Sequence, residues 1–170
     1  VRELQSDDAV ELLQDLDEAD KEEILEKLPA AELDAIERRL HYPENSAGRR
    51  MQTECIAVPD DWTVLQAIAY MRDTPELPDR FYEIYVLDRE LRLKGAVPLD
   101  ALLRAHRPGP IVDLIDEDRR RVSVGDDLAE VARMFGKYNL VAAPVTDAAG
   151  HLLGVITIDD VVDIIEEEAE

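Results

Sequence analysis

"PVTDAAGHLLGVITIDDVV" runs from Pro144 to Val162, and it has a counterpart earlier in the chain, "YVLDRELRLKGAVPLDALL", from Tyr85 to Leu103. Each copy reads as an apolar run ending in aspartate, a polar turn, a second apolar run containing a glycine, and a helix-like segment. The stretches upstream match too. "AVPDDWTVLQAIAYM" (Ala57 to Met71) parallels "SVGDDLAEVARMF" (Ser123 to Phe135): a strand-like pair, a turn with two aspartates, then an amphipathic helix. A β-α-β-β-α unit that occurs twice predicts an α+β domain of two similar halves, each a small sheet covered on one face by helices, with the halves paired.

Upstream of the repeats the period changes. Leu4, Val10, Leu13 and Leu16, then Ile24, Leu25 and Leu28, then Leu33, Ile36 and Leu40 recur at spacings near three and four, which predicts short amphipathic helices. "HYPENSAGRRM" (His41 to Met51) interrupts them with Pro43, Asn45, Ser46 and Gly48 and reads as a linker. The expected organisation is therefore a helical segment over 1–41, a linker over 42–53, a first repeat over 54–112, and a second repeat over 113–170 that runs into a final helix.

Charge narrows the class of partner. The 170 residues hold 19 Lys plus Arg against 40 Asp plus Glu, a formal charge of -21. Such a balance argues against nucleic acid and anionic membrane surfaces and favours cations. The longest apolar runs, such as Leu140 to Val145, fall far short of the roughly 20 residues a membrane helix needs, so direct membrane insertion is not expected. The start at Val1 instead of Met points to a longer parent chain, and the single cysteine, Cys55, cannot form an internal disulfide, which fits a reducing compartment.

The acids concentrate at the ends. From Asp159 onward come Asp159, Asp160, Asp163, Glu166, Glu167, Glu168 and Glu170 with no basic residue. On a helix, Asp159, Asp163, Glu166 and Glu170 share one face, while Val161, Val162, Ile164 and Ile165 are expected to form the buried stripe. Like charges at i,i+4 destabilise a helix by a few tenths of a kcal/mol per pair, a penalty that a divalent ion would remove. A solvated helix face is the alternative reading. The paired aspartates Asp60/Asp61 and Asp126/Asp127 read as helix caps. His41, His106 and His151 lack the spacing of a zinc site, and Cys55 reads as a buried thiol. The chain holds no P-loop, HExxH or triad order, so no enzymatic activity is expected.

The string Gly154-Val-Ile-Thr157-Ile-Asp159-Asp160, with the repeat around it, resembles a tandem pair of CBS domains. "YPENSAGRRM" before the pair, the acidic helices before that, and the ending "DDVVDIIEEEAE" resemble the cytosolic region of MgtE-type magnesium transporters. The resemblance implies an MgtE N-type helical domain over 1–41 and a second CBS repeat leading into a connecting helix. A transmembrane pore of the same polypeptide would follow, with the fragment on the cytoplasmic side of the membrane and associating as a homodimer through the CBS pair. It implies a Mg²⁺-sensing regulatory role, in which acidic surfaces meet across metal ions at high magnesium and the compact state closes the pore. Implied ligands are Asp160, Asp163 and Glu168, with Asp159 and Glu167 beside them, and Asp7, Asp8, Glu11 and Asp15 on the helical-domain side. Asn139 and Ala129 stand where relatives often carry acids. The CBS signature also implies an alternative ligand, ATP, at a half-site made by Gly154, Thr157 and Asp160. In the first repeat Gly95 remains, but Pro98 and Ala101 replace the Thr and the Asp. The bland reading of Thr157 and Asp160 is that they cap the last helix.

Overall fold

The computed structural model describes residues 40–116 and 120–169. Two three-stranded sheets of identical topology dominate it. In the first, β1 (Ala57–Pro59) pairs in parallel with β2 (Glu83–Leu87), which pairs antiparallel with β3 (Leu93–Pro98). In the second, β4 (Val122–Ser123) is parallel to β5 (Ala142–Thr146), which is antiparallel to β6 (Leu152–Thr157). Even the irregularities repeat: the ladder shifts register between Val86 and Leu87 and again between Val145 and Thr146. The α+β repeat expected from the sequence is the observed architecture.

Helices follow the strands in the same order in both halves: α2 (Val64–Asp73) and α3 (Leu99–Arg104) in the first, α4 (Leu128–Tyr138) and α5 (Ile158–Ala169) in the second. Their starts have local causes. Thr63 caps α2 in a reciprocal box with Gln66, the Thr63 hydroxyl accepting from the Gln66 N–H at 3.2 Å and the Gln66 side chain accepting from the Thr63 N–H at 2.8 Å. Asp127 caps α4 by accepting from the Ala129 N–H at 2.8 Å, and α4 stops at Asn139 in the left-handed region, φ 54°. The cap reading thus holds for Asp127 but not for Asp60 and Asp61, because Thr63 occupies that position and the Asp60 carboxylate pairs with Lys94 at 3.2 Å.

Central strands β2 and β5 are buried along almost their whole length because both faces are covered. In the first half, Ile84, Val86 and Val97 meet Val64, Ala67 and Leu102 from the helices. Across the seam between halves, Tyr85, Leu93 and Ala96 meet Ala142 and Val155. Trp62 and Tyr70 join the first core edge to face, with ring centroids 5.7 Å apart.

The stretch read as a linker is ordered and docked. Its short helix α1 (Ala47–Arg50) puts Ala47 and Met51 into the core of the second half with Phe135, Val145 and Ile156. Gln52 then bridges to Val155 by two backbone hydrogen bonds of 2.9 and 2.8 Å. Gly48 is required by this approach, since a Cβ there would lie 2.6 Å from the Val124 Cγ2. Pro43, Asn45 and Gly48 signalled a break in periodicity, while the apolar residues that anchor the break, Ala47 and Met51, were too few to register as a pattern.

Candidate functional site

The acidic helix α5 can be placed residue by residue. Val161 and Ile164 are buried at 1% and 3%, whereas Val162 and Ile165 are 45% and 52% exposed. The expected four-residue buried stripe is therefore half as wide. With successive residues turned by about 100°, only the 161/164 line faces α4 and the sheet, and 162/165 rotate to one flank. Asp159, Asp163 and Glu166 are exposed on the side opposite the buried line. Asp160 and Glu167 occupy the other flank.

Both flank carboxylates are engaged. Asp160 Oδ2 accepts from the Thr157 backbone N–H and from the Thr157 hydroxyl, each at 3.2 Å, tying the entry of α5. This is the capping reading of the Thr157/Asp160 pair in physical form. Glu167 accepts a hydrogen bond from the Arg50 guanidinium. Asp7, Asp8, Glu11 and Asp15 lie outside the described residues, as does the side chain of Glu168. Among the described residues, no three acidic, imidazole or thiol groups converge as a preformed metal cage. The donor type is nonetheless right for a hard cation, which accepts a few carboxylates and keeps several waters.

The two clefts between the halves differ sharply. Gly154, read as part of the nucleotide half-site, is explained by the chain crossing beside it: an added Cβ would sit 2.5 Å from the Gln52 carbonyl oxygen and about 3 Å from Met51. The cavity beside Thr157 holds only about 20 Å³ and is lined by residues including Cys55, Phe81, Tyr82 and Glu83. That is room for a single water, not a nucleotide. Tyr85 donates to Glu83 at 3.1 Å in the same seam, and burial pushes the Cys55 thiol up to about 11. On the other side, around Lys94, Gly95, Asp113, Asp116, Arg120 and Arg121, a cavity of about 600 Å³ is open. Its cations already have local roles, with Lys94 against Asp60, Arg121 donating to the Leu93 carbonyl at 3.4 Å, and Arg120 4.3 Å above the Tyr138 ring. The larger cleft was hidden in the sequence because its half of the repeat lacks the Thr and Asp of the signature. The two signature glycines thus differ: Gly154 lies where the chain crosses, and Gly95 borders the open space.

Outside the clefts, several large apolar side chains face solvent. Leu65 and Leu103 are 54% and 68% exposed on α2 and α3, and with Val162 and Ile165 they lie on the helical layers of both halves.

Comparison with known proteins covers nearly all of the chain. Residues 1–45 match the MgtE intracellular N domain, and residues 47–107 and 111–167 each match the CBS domain. The magnesium transporter MgtE of Enterococcus faecalis is 36% identical over 134 residues, covering 79% of this chain and 30% of the transporter. That of Thermus thermophilus is 33% identical over 147 residues, covering 86% and 32%. The chain thus spans about a third of the length of these relatives. Among solved structures, the soluble part of a magnesium transporter superposes with a TM-score of 0.92 at 36% identity, over 99% of this chain and 66% of that one. The cytosolic domain of the Mg²⁺ channel MgtE in complex with ATP gives 0.90 at 31% identity, over 96% and 67%. No described helix is long and apolar enough to cross a membrane. The chain belongs to the MgtE family: it carries MgtE N-domain sequence followed by a tandem CBS pair, and it corresponds to the cytosolic part of an MgtE magnesium transporter.

Proposed function

We propose that this chain is the magnesium-sensing regulatory portion of an MgtE-type transporter, binding Mg²⁺ between acidic surfaces to favour a compact state that closes the pore of the full-length protein, and catalysing nothing itself. The observation that carries the reading is the exposed acidic face of α5, on which Asp163 stands with Asp159 and Glu166 opposite the buried Val161/Ile164 line, while Asp160 lies on the adjacent flank. Such a face binds a divalent ion well only when a second acidic surface closes over it, so occupancy and compaction are linked. Asp160, Asp163 and Glu168 are the proposed ligands on this side, with Asp159 and Glu167 adjacent. Asp7, Asp8, Glu11 and Asp15 are the proposed counterparts. A second copy of the chain is the proposed cover for the exposed Leu65, Leu103, Val162 and Ile165, giving a homodimer through the helices of the CBS pair.

Thermal unfolding against MgCl₂, with NaCl at matched ionic strength, tests this. The expected result is a saturable rise in Tm in MgCl₂ alone, lost in the Asp160→Ala/Asp163→Ala variant. An equal response to both salts would leave only charge screening.

The open cleft favours a second, compatible ligand. An adenine nucleotide fits about 600 Å³ bordered by Lys94, Arg120 and Arg121 far better than it fits the 20 Å³ at Gly154, Thr157 and Asp160. Calorimetric titration with MgATP separates the clefts: Arg121→Glu should weaken binding while Thr157→Ala leaves it, and the reverse pattern would restore the Thr157 half-site.

A further inference from the structure

We propose that Arg50 is a built-in counter-cation for the acidic helix α5, competing with the divalent metal for Glu167 and so setting the metal concentration at which the helix responds. The inference rests on the sensing role proposed above and adds its regulation.

Arg50 is fixed in place by its neighbours. It ends α1, between Ala47 and Met51, which are 0% and 3% exposed in the second core, and the Gly48 backbone lies tight against Val124 and Tyr42. The preceding Arg49 donates to the Leu40 and Tyr42 carbonyls at 3.0 and 3.1 Å and secures the same segment. The Arg50 side chain is only 13% exposed and reaches Glu167, 117 residues away in sequence, near the end of α5. No basic residue lies between Ile158 and Ala169, so the positive charge that meets Glu167 comes from outside the helix. A guanidinium here therefore does what a metal ion would do: it lowers the negative potential of the acidic flank. Unlike a metal it is tethered, so it is present at every magnesium concentration, and a metal recruiting Glu167 has to displace it. The segment Arg50 belongs to directly follows the residues that match the MgtE N domain, 1–45. Arg50 thus lies at the start of the first CBS match and Glu167 at the end of the second.

The test compares three variants of the 170-residue chain by the MgCl₂ midpoint of the Tm rise, at constant ionic strength. Arg50→Gln removes the competing charge and should move the midpoint to lower MgCl₂ by about threefold to tenfold, as expected for a unit charge a few ångströms from a divalent ion in screened water. Glu167→Gln breaks the same ion pair but leaves the cation, and should move the midpoint to higher MgCl₂. Arg50→Lys keeps the charge and should stay near wild type. A merely structural tether predicts the same direction of change for both pair-breaking variants, or a uniform drop in Tm with no shift in midpoint, and either result would overturn the proposal while leaving the sensing role intact. Absence of any saturable Mg²⁺ response in the wild type would sink both.

Discussion

Gly154→Ala measures whether this glycine serves the fold or a ligand. The added Cβ would lie 2.5 Å from the Gln52 carbonyl oxygen and 3.0 and 3.1 Å from the Met51 Sδ and Cγ. Restoring a contact of about 3.3 Å or more needs a displacement of roughly 0.8 Å, and the obstacle is backbone that no rotamer change relieves. The displaced residue is the one whose N–H and C=O form the two hydrogen bonds to Val155 at 2.9 and 2.8 Å. Two such bonds are worth about 1–3 kcal/mol together, and loosening Met51 in the core adds to that, for a total of about 2–4 kcal/mol. For a chain of this length that lowers Tm by roughly 5–15 °C. Gly95→Ala is the internal control. Its Cβ would meet Ile115 Cγ2 at 2.3 Å, a side-chain atom that can rotate away at about 1–2 kcal/mol. Urea unfolding of the two variants and wild type should rank Gly154→Ala as the more damaging. A Gly154→Ala protein within about 0.5 kcal/mol of wild type, or no worse than Gly95→Ala, would refute the crossing-chain explanation.

Three further outcomes are expected. Leu91 occupies the left-handed region, φ 65°, at the hairpin position where the second repeat has Gly150 at φ 89°, so Leu91→Gly should stabilise the chain by up to about 1 kcal/mol in urea unfolding despite the extra chain entropy of glycine. The Asp88 and Asp147 carboxyls are held below the ordinary value near 3.8, chiefly by the backbone N–H groups of Arg92 and His151. A depressed carboxyl pKa adds stability that is present above the unfolded value and lost as pH falls through the folded one. Asp88→Asn and Asp147→Asn should therefore flatten the decline of stability below about pH 4, as read from Tm against pH. The Cys55 thiol, half-buried and pushed up to about 11 by its surroundings, should react with Ellman's reagent at pH 8 far more slowly in the native protein than in the urea-unfolded one; equal rates would contradict its placement.

Much of the fold was legible because it is written twice. Strands Glu83–Leu87 and Ala142–Thr146, their hairpin partners and the helices after them follow from turn signals and periodicity that each copy corroborates. Local features without a second copy were harder. The docking of residues 46–52 depends on Ala47 and Met51 reaching the second core, a tertiary fact that a proline- and glycine-rich stretch conceals. The width of the buried stripe on α5 was overestimated because valine and isoleucine at four positions look equivalent in sequence, whereas the helix turns only Val161 and Ile164 inward. The clefts were least legible. Their volumes depend on how Tyr82, Glu83 and Cys55 fill one side of the seam while the other stays open, and spacing carries no trace of that. The Arg50–Glu167 pair joins residues 117 apart and left no signal beyond the lack of bases on α5 itself.

The central claim is that magnesium draws acidic surfaces together, and small-angle X-ray scattering of this chain tests it most directly. In MgCl₂ the radius of gyration per chain should fall along a saturable curve, and NaCl at equal ionic strength should leave it higher. A radius that follows ionic strength alone, identical in the two salts, would contradict the account.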